Sequence, residues 1–369
     1  MPDPIPHARP ALPGRPRTAL CRARSRTLPL LVALLAAVAA GCGGTDQRPA
    51  DDAATSDGEP TPALFAGWRT DWHRHTVPFG EFENGGPGRD GIPPLTEPRF
   101  EPVTEASKAL PPDEPMIELV VDDAARAYPI RILIWHEIVN DTIGSLPVAV
   151  TFCPLCHTSV VFDRRVGDET LVFGTTGKLR FSDLVMYDRS SESWWQQFDG
   201  VGVVGRYAGT KLRIVPSAIT TLADFAQRNP GGTVLSHDTG FDRPYGTNPY
   251  EGYDAAGSST IFPAPGTDDR RLDAKLRVVF IDDPDDPIAI PLKVVARRSP
   301  MIVRVGSRNL KITFIAGVRD ALGEKIIARG DVVGAARVVD TATGAPVAFD
   351  TPFWFAVATF RPGIRVVDR

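Results

Sequence analysis

The chain has 369 residues, of which 43% are hydrophobic, 8% aromatic and 23% charged, with 35 prolines and 33 glycines. That balance excludes a disordered or collagen-like protein, and the density of Pro and Gly excludes long helical bundles in favour of many short elements. A formal net charge of −4 leaves no basic surplus for phosphates, so nucleic acid is excluded as a partner.

In chain order, residues 1–27 carry Arg9, Arg15, Arg17, Arg22, Arg24 and Arg26 against the single acid Asp3, and an apolar run over 28–40 follows. That run is too short to span about 30 Å of hydrocarbon. The pattern predicts a signal peptide over 1–41, and the small residues before Cys42 resemble a lipobox in which Cys42 becomes the lipidated first residue. The expected protein is therefore extracytoplasmic, anchored to the cell membrane through lipid, with a net charge near −9 once six arginines and one aspartate are removed. Residues 42–63 have almost no large apolar side chain and read as a disordered tether.

The remainder, 64–369, reads as a single β-rich domain. Alternating apolar residues predict strands over 117–121, 125–128, 147–153, 158–163 and 170–174, with an Asp122-Asp123 turn. Pro129 followed by Ile130, Leu133, Ile134 and Ile138 predicts a helix over 130–139. Further helices are expected over 221–228 and, capped by Thr351, over 352–360. The fold class is α+β, mainly β, with short antiparallel strands and a few short helices.

An internal duplication is visible without gaps. Residues 130–152 align with 292–314, so that Pro129 meets Pro291, Gly144-Ser145 meets Gly306-Ser307 and Thr151-Phe152 meets Thr313-Phe314. The related halves run over about 116–174 and 276–350, with a polar segment and a helix between them over 175–275. Pro300 is expected to end the second helix about two turns after Pro291. In the second copy Arg298 replaces His136, Ser299 replaces Glu137 and Ile315 replaces Cys153. The reactive side chains belong to one copy only.

Cys153 and Cys156 are the only cysteines beyond residue 42. Pro154 favours a β-turn that brings both sulfurs to one place. Four chemistries fit such a pair in an exported protein. It could be a structural disulfide, although so short a loop removes little unfolded-state entropy. It could be a thiol–disulfide redox pair, although no thioredoxin-like context surrounds it. A metal site would draw further ligands from His136, Glu137 or His157, with zinc, copper or iron as the cofactor class. Covalent haem on Cys153-Pro-Leu-Cys-His157 is disfavoured, because strand-like segments flank the motif.

His136 reads either as a satisfied buried imidazole or as a site residue. Glu137 falls on the apolar stripe of its helix and needs a partner such as Arg131 or Arg180, or a role as ligand or general base. The segment 177–197 holds Arg180, Asp183, Tyr187, Arg189 and Trp194, a composition that suits a ligand-binding wall or a solvated turn anchored by tryptophan. No phosphate-binding glycine loop, nucleophile elbow or His-Glu-x-x-His helix is present.

The runs RAYPIRILIWHEIVND (126–141), VTFCPLC (150–156) and FSDLVMYDR (181–189) resemble domain-of-unknown-function family 3179, with the similarity extending from about Gly91 to the closing PFWFAVATFRP. The resemblance implies a bacterial protein with an export or lipoprotein signal and no assigned activity. By matching position it nominates His136, Glu137, Cys153 and Cys156, and more weakly 183–189. His157 departs from the family pattern, which implies Gly or Asn there. The expected function is that of an extracytoplasmic lipoprotein with a Cys-Pro-Leu-Cys thiolate site for metal or thiol redox chemistry. The alternative is a non-catalytic surface lipoprotein that binds a ligand or partner and carries a structural disulfide. The sequence leaves open whether it is an enzyme, and which protein or small molecule it meets.

Overall fold

The computed structural model describes Leu64 and residues 66–368. The expected signal peptide, Cys42 and the tether over 42–63 lie outside the described residues. In chain order the first elements are β1 (Phe82–Asn84), β2 (Leu95–Thr96), β3 (Phe100–Pro102), α1 (Val103–Ala109), β4 (Pro115–Val121), β5 (Ala124–Pro129), α2 (Ile130–His136), β6 (Ile138–Ile143) and β7 (Leu146–Thr151). There follow β8 (Val161–Asp163), the ribbon β9 (Arg165–Val166) and β10 (Glu169–Thr170), β11 (Phe173–Arg180), β12 (Asp183–Asp188), β13 (Trp194–Gln196), β14 (Gly202–Val204), β15 (Ile214–Val215) and β16 (Ser217–Thr221). The last third comprises α3 (Leu222–Arg228), β17 (Thr233–Leu235), β18 (Val278–Ile281), β19 (Ile288–Pro291), α4 (Leu292–Arg298), β20 (Met301–Val305), β21 (Arg308–Ile315), β22 (Ala335–Asp340), α5 (Trp354–Phe360) and β23 (Arg365–Val366).

Beside the ribbon these strands form five small sheets, in the orders β1-β11-β12-β13-β14, β15-β8-β7-β6-β2, β16-β4-β5-β17-β3, β18-β19-β23 and β20-β21-β22. The protein is mainly β, as its composition predicts, and the five sheets stand as blades of a propeller-like ring. Neighbouring blades meet where β11 packs on β6, β5 on β6 and β16 on β22, and where α4 lies against β19, β21 and β22. The ring closes through Phe198, which follows β13, stacks on Phe360 at 4.5 Å between ring centroids and meets Phe280 of β18 at 5.4 Å. A continuous apolar core reaches all five blades and includes Ile117, Leu133, Val150, Phe162, Met186, Trp195, Phe280, Ile315 and Phe355. A second cluster, around Val279, Val295 and Ile312, fills the space between the fourth and fifth blades.

One local unit recurs. Among the described residues five α-helices are bounded at both ends, and each has seven residues. Four of them follow directly on a strand. Pro102, Pro129 and Pro291 stand immediately before α1, α2 and α4, with φ between −53° and −60°. The proline ring fixes φ at a value that suits both the last extended residue and the first helical turn, so the sequence itself sets the switch from strand to helix. Before α3 the same place is held by Thr221, whose hydroxyl accepts from Asp224 N–H.

The two aligned segments adopt the same order of strand, seven-residue helix and hairpin, with Gly144 and Gly306 both at positive φ in the hairpin turns. The helix before Pro300 ends at Arg298. The α2 helix is shorter than its apolar spacing predicts: it stops at His136, and Ile138 begins β6, paired with Thr151. Ile138 fits both a helical stripe and a strand, and pairing with β7 decides between them. The expected cap of the last helix also differs, since Phe353 rather than Thr351 precedes α5 and no side chain caps it. The strand expected over 158–163 is regular only from Val161, because Thr158 is engaged in a bridge to Cys153.

Candidate metal centre

Cys153 lies two residues beyond β7 and opens a loop that closes on itself. Cys153 N–H donates to Thr158 O at 2.9 Å, and Thr158 N–H returns to Cys153 O at 3.3 Å. Within the loop Pro154, Leu155, Cys156 and His157 form turns, His157 with φ +54°. The rest of the molecule clamps this loop from two sides. Tyr253 Oη donates to Leu155 O at 2.9 Å, and Phe353 N–H donates to Cys156 O at 2.9 Å. Both thiols are buried, and both are free. The disulfide allowed by the sequence is not formed.

The third member of the site comes from a neighbouring blade. Asp183 opens β12, and its pair in the hairpin is Arg180, which leaves Phe181-Ser182 as a two-residue turn with φ +56° and +63°. Such a turn normally takes Asn-Gly, so Phe and Ser hold it under strain of the kind that collects at functional sites. Cys156 Sγ donates to Asp183 Oδ1 at 2.9 Å, and Cys153 Sγ reaches Ser182 O at 3.8 Å. Thr158 Oγ1 lies 3.0 Å from Cys156 Sγ. The other carboxylate oxygen, Oδ2, accepts from Gln196 Nε2 and, at 2.9 Å, from Phe198 N–H. One donor atom each from Cys153, Cys156 and Asp183 lie within 4.8 Å of one another, and all three residues are buried.

The electrostatics are one-sided. Burial raises the Asp183 carboxyl to about 7 even though hydrogen bonds from Cys156, Gln196 and Phe198 pull the other way. Burial, then Cys153 and Asp183, push the Cys156 thiol well above its ordinary value. Glu137 is raised to about 8, by burial and then by the charge of Asp183. Among the described residues no Arg, Lys or His hydrogen-bonds to any of the three donors.

The remaining nominated residues sit as follows. His136 is not brought to the sulfurs: its Nδ1 lies 2.7 Å from Pro93 O and its Nε2 bonds Tyr245 Oη, while burial lowers its pKa. His157 is adjacent in sequence but turned away, with Nδ1 3.1 Å from Thr351 O and Nε2 accepting from Arg277 at 3.2 Å. Burial and then Arg277 lower it to about 4, so it stays a neutral acceptor. Arg180 touches the site at one remove, ion-paired with Glu81 and donating at 3.1 Å to Gln196 Oε1. Tyr187 and Arg189 converge on Asp90, and Trp194 packs with Val185, Val203 and Trp68, so these three belong to a separate aromatic cluster. None of the four main cavities, the largest a polar cleft of about 820 Å³ beside Ser258 and Lys293, is lined by the cysteines or by Asp183.

Fold and site together define a propeller-like β-protein with a buried dithiol–carboxylate cluster between two blades. Residues 89–363 match the family described as protein of unknown function (DUF3179), and the chain belongs to that family. No curated protein and no solved structure matches the chain.

Proposed function

We propose that the protein is an extracytoplasmic, lipid-anchored metal-binding protein in which Cys153, Cys156 and Asp183 hold a divalent ion of the zinc class. One observation carries the metal reading: three ionisable donors are buried together, and among the described residues no basic side chain hydrogen-bonds to them. In that setting burial disfavours the thiolate of Cys156 and the carboxylate of Asp183, so the cluster is costly without a counter-charge. A divalent cation reverses each of those terms, favouring both thiolates and the carboxylate and releasing their protons to solvent. Tetrahedral bonds of about 2.0 to 2.3 Å place ligand atoms about 3.5 Å apart, so donors that lie between 2.9 and 4.8 Å from one another need shifts of about 1 Å to hold the ion.

Thiol exchange is the weaker reading. It requires an accessible thiolate, whereas Cys153 and Cys156 are 1% and 0% exposed and burial drives Cys156 toward the thiol. The lipid anchor is supported by the arginine-rich leader, the apolar run and Cys42 in the sequence. The test of the centre is metal analysis with a free-thiol count on protein purified without added metal. One equivalent of zinc or a related ion, lost in Cys153→Ser, is expected. An oxidised Cys153–Cys156 pair without metal refutes the reading.

A further inference from the structure

Glu137 carries a carboxylate to which the fold gives no side-chain or backbone partner. Its side chain is 7% exposed, and among the described residues its carboxylate makes no hydrogen bond or ion pair. The arginines that could have answered it are engaged elsewhere, Arg131 with Glu114 and Arg180 with Glu81 and Gln196. Its backbone is held in place on both sides. Glu137 N–H closes the end of α2 on Leu133 O at 2.7 Å, and Glu137 O accepts from Phe152 N–H at 2.9 Å, one residue before Cys153. Its φ of +57° with ψ of −32° is a conformation that a side-chain-bearing residue adopts only when its surroundings impose it.

The second copy of the motif shows that the fold does not need this carboxylate. There Ser299 stands at the matching place, and its Oγ accepts the N–H of Phe314, the counterpart of Phe152. In the first copy the same strand N–H is satisfied by the Glu137 carbonyl, which frees the side chain. The bond to Phe152 sets Glu137 across from the residue that precedes Cys153, and the charge of Asp183 acts on its buried carboxyl.

Resting on the metal reading above, we propose that Glu137 is the fourth ligand, so that the centre is built from two thiolates and two carboxylates. Its carboxylate stands outside the 4.8 Å group formed by the other three donors and moves in when the ion binds. Half of the donor set is then hard oxygen, which favours zinc, cobalt(II) or iron(II) over copper(I), the ion that all-sulfur sites select.

The experiment is a cobalt(II) titration of the reduced full-length chain, followed by optical absorption. Wild type should bind one equivalent and show thiolate-to-cobalt charge transfer together with the strong visible bands of a tetrahedral ion. Glu137→Gln should keep the charge-transfer bands, lose intensity in the visible bands as water enters, and bind about 10- to 100-fold more weakly. Glu137→Ser, which installs the residue of the second copy, should fold and show the same loss. Unchanged spectra and affinity in both variants overturn the role of Glu137 while leaving the three-residue centre intact. Absence of cobalt bands in wild type overturns the metal reading itself.

Discussion

Replacing Phe198 by alanine tests whether the ring of blades closes where the structure places the closure. The side chain is 4% exposed, stacks on Phe360 with an interplanar angle of 24°, lies 5.4 Å from Phe280 and carries Arg361 over its ring at 5.9 Å. Truncation removes a buried aromatic ring between two blades, a change that costs about 3 to 5 kcal/mol. Phe198→Leu keeps most of the volume and forfeits chiefly the ring pairing, about 0.5 to 1.5 kcal/mol. Both follow from urea unfolding at 25 °C, monitored by circular dichroism, with the shift in midpoint converted at a common slope. Phe241, which is 44% exposed, supplies the comparison, since its alanine variant should stay within about 0.5 kcal/mol of wild type. A loss below about 1 kcal/mol for Phe198→Ala would refute closure through this contact.

Gly334 has φ +75°, and a Cβ there would lie 2.0 Å from Phe314 Cζ and 2.9 Å from Ile315 O, whereas Gly344, at φ +73°, has open space around it. Gly334→Ala should therefore destabilise by about 1 to 3 kcal/mol more than Gly344→Ala in the same assay, and equal losses would contradict the packing argument. The acid limb of stability should follow Asp224. Burial alone would raise its carboxyl, but Arg228, Thr220 and Arg337 hold it down to about 2. Because that folded value lies below the unfolded one, the folded chain holds fewer protons between about pH 4 and pH 2, so stability is complete above this window and lost as pH falls through it. Asp224→Asn should flatten the fall of melting temperature across the window, and a profile parallel to wild type would remove Asp224 from the account.

The helices after Pro129 and Pro291 and the hairpins that follow them are legible in the sequence, because proline, apolar spacing and glycine turns are local signals. The cysteine pair is legible for the same reason. Asp183 is legible as a member of a ligand-binding wall, but not as a direct partner of the cysteines. That contact spans 27 residues and depends on a turn made from Phe181-Ser182, which lacks the Asn-Gly signature that marks such hairpins. His136 misleads in the opposite way: it is beside Glu137 in the chain, yet the last turn of α2 sends its ring to Pro93 and Tyr245. Tyr187, Arg189 and Trp194 read as a ligand wall because their partners, Trp68 and Asp90, lie in a stretch without periodicity. The helix predicted over 130–139 overruns the end of α2, because Ile138 fits a helical stripe as well as a strand and only the pairing with Thr151 decides between them.

The way the blades share strands governs when the protein can fold. β1 pairs with β11 almost a hundred residues later, β17 lies parallel to β5 and antiparallel to β3, and β23, near the end of the chain, lies parallel to β19. In a solenoid each repeat is complete as soon as its own residues have been made, and stability accrues unit by unit. Here the first and third blades wait for strands supplied from well down the chain, and the fourth waits for residues 365–366. Contacts of such sequence separation are slow to form, because the loops between them must close before any gain is realised. Completing the ring therefore requires nearly the whole chain, and the dithiol loop, clamped by Tyr253 and Phe353, depends on contacts of the same long range.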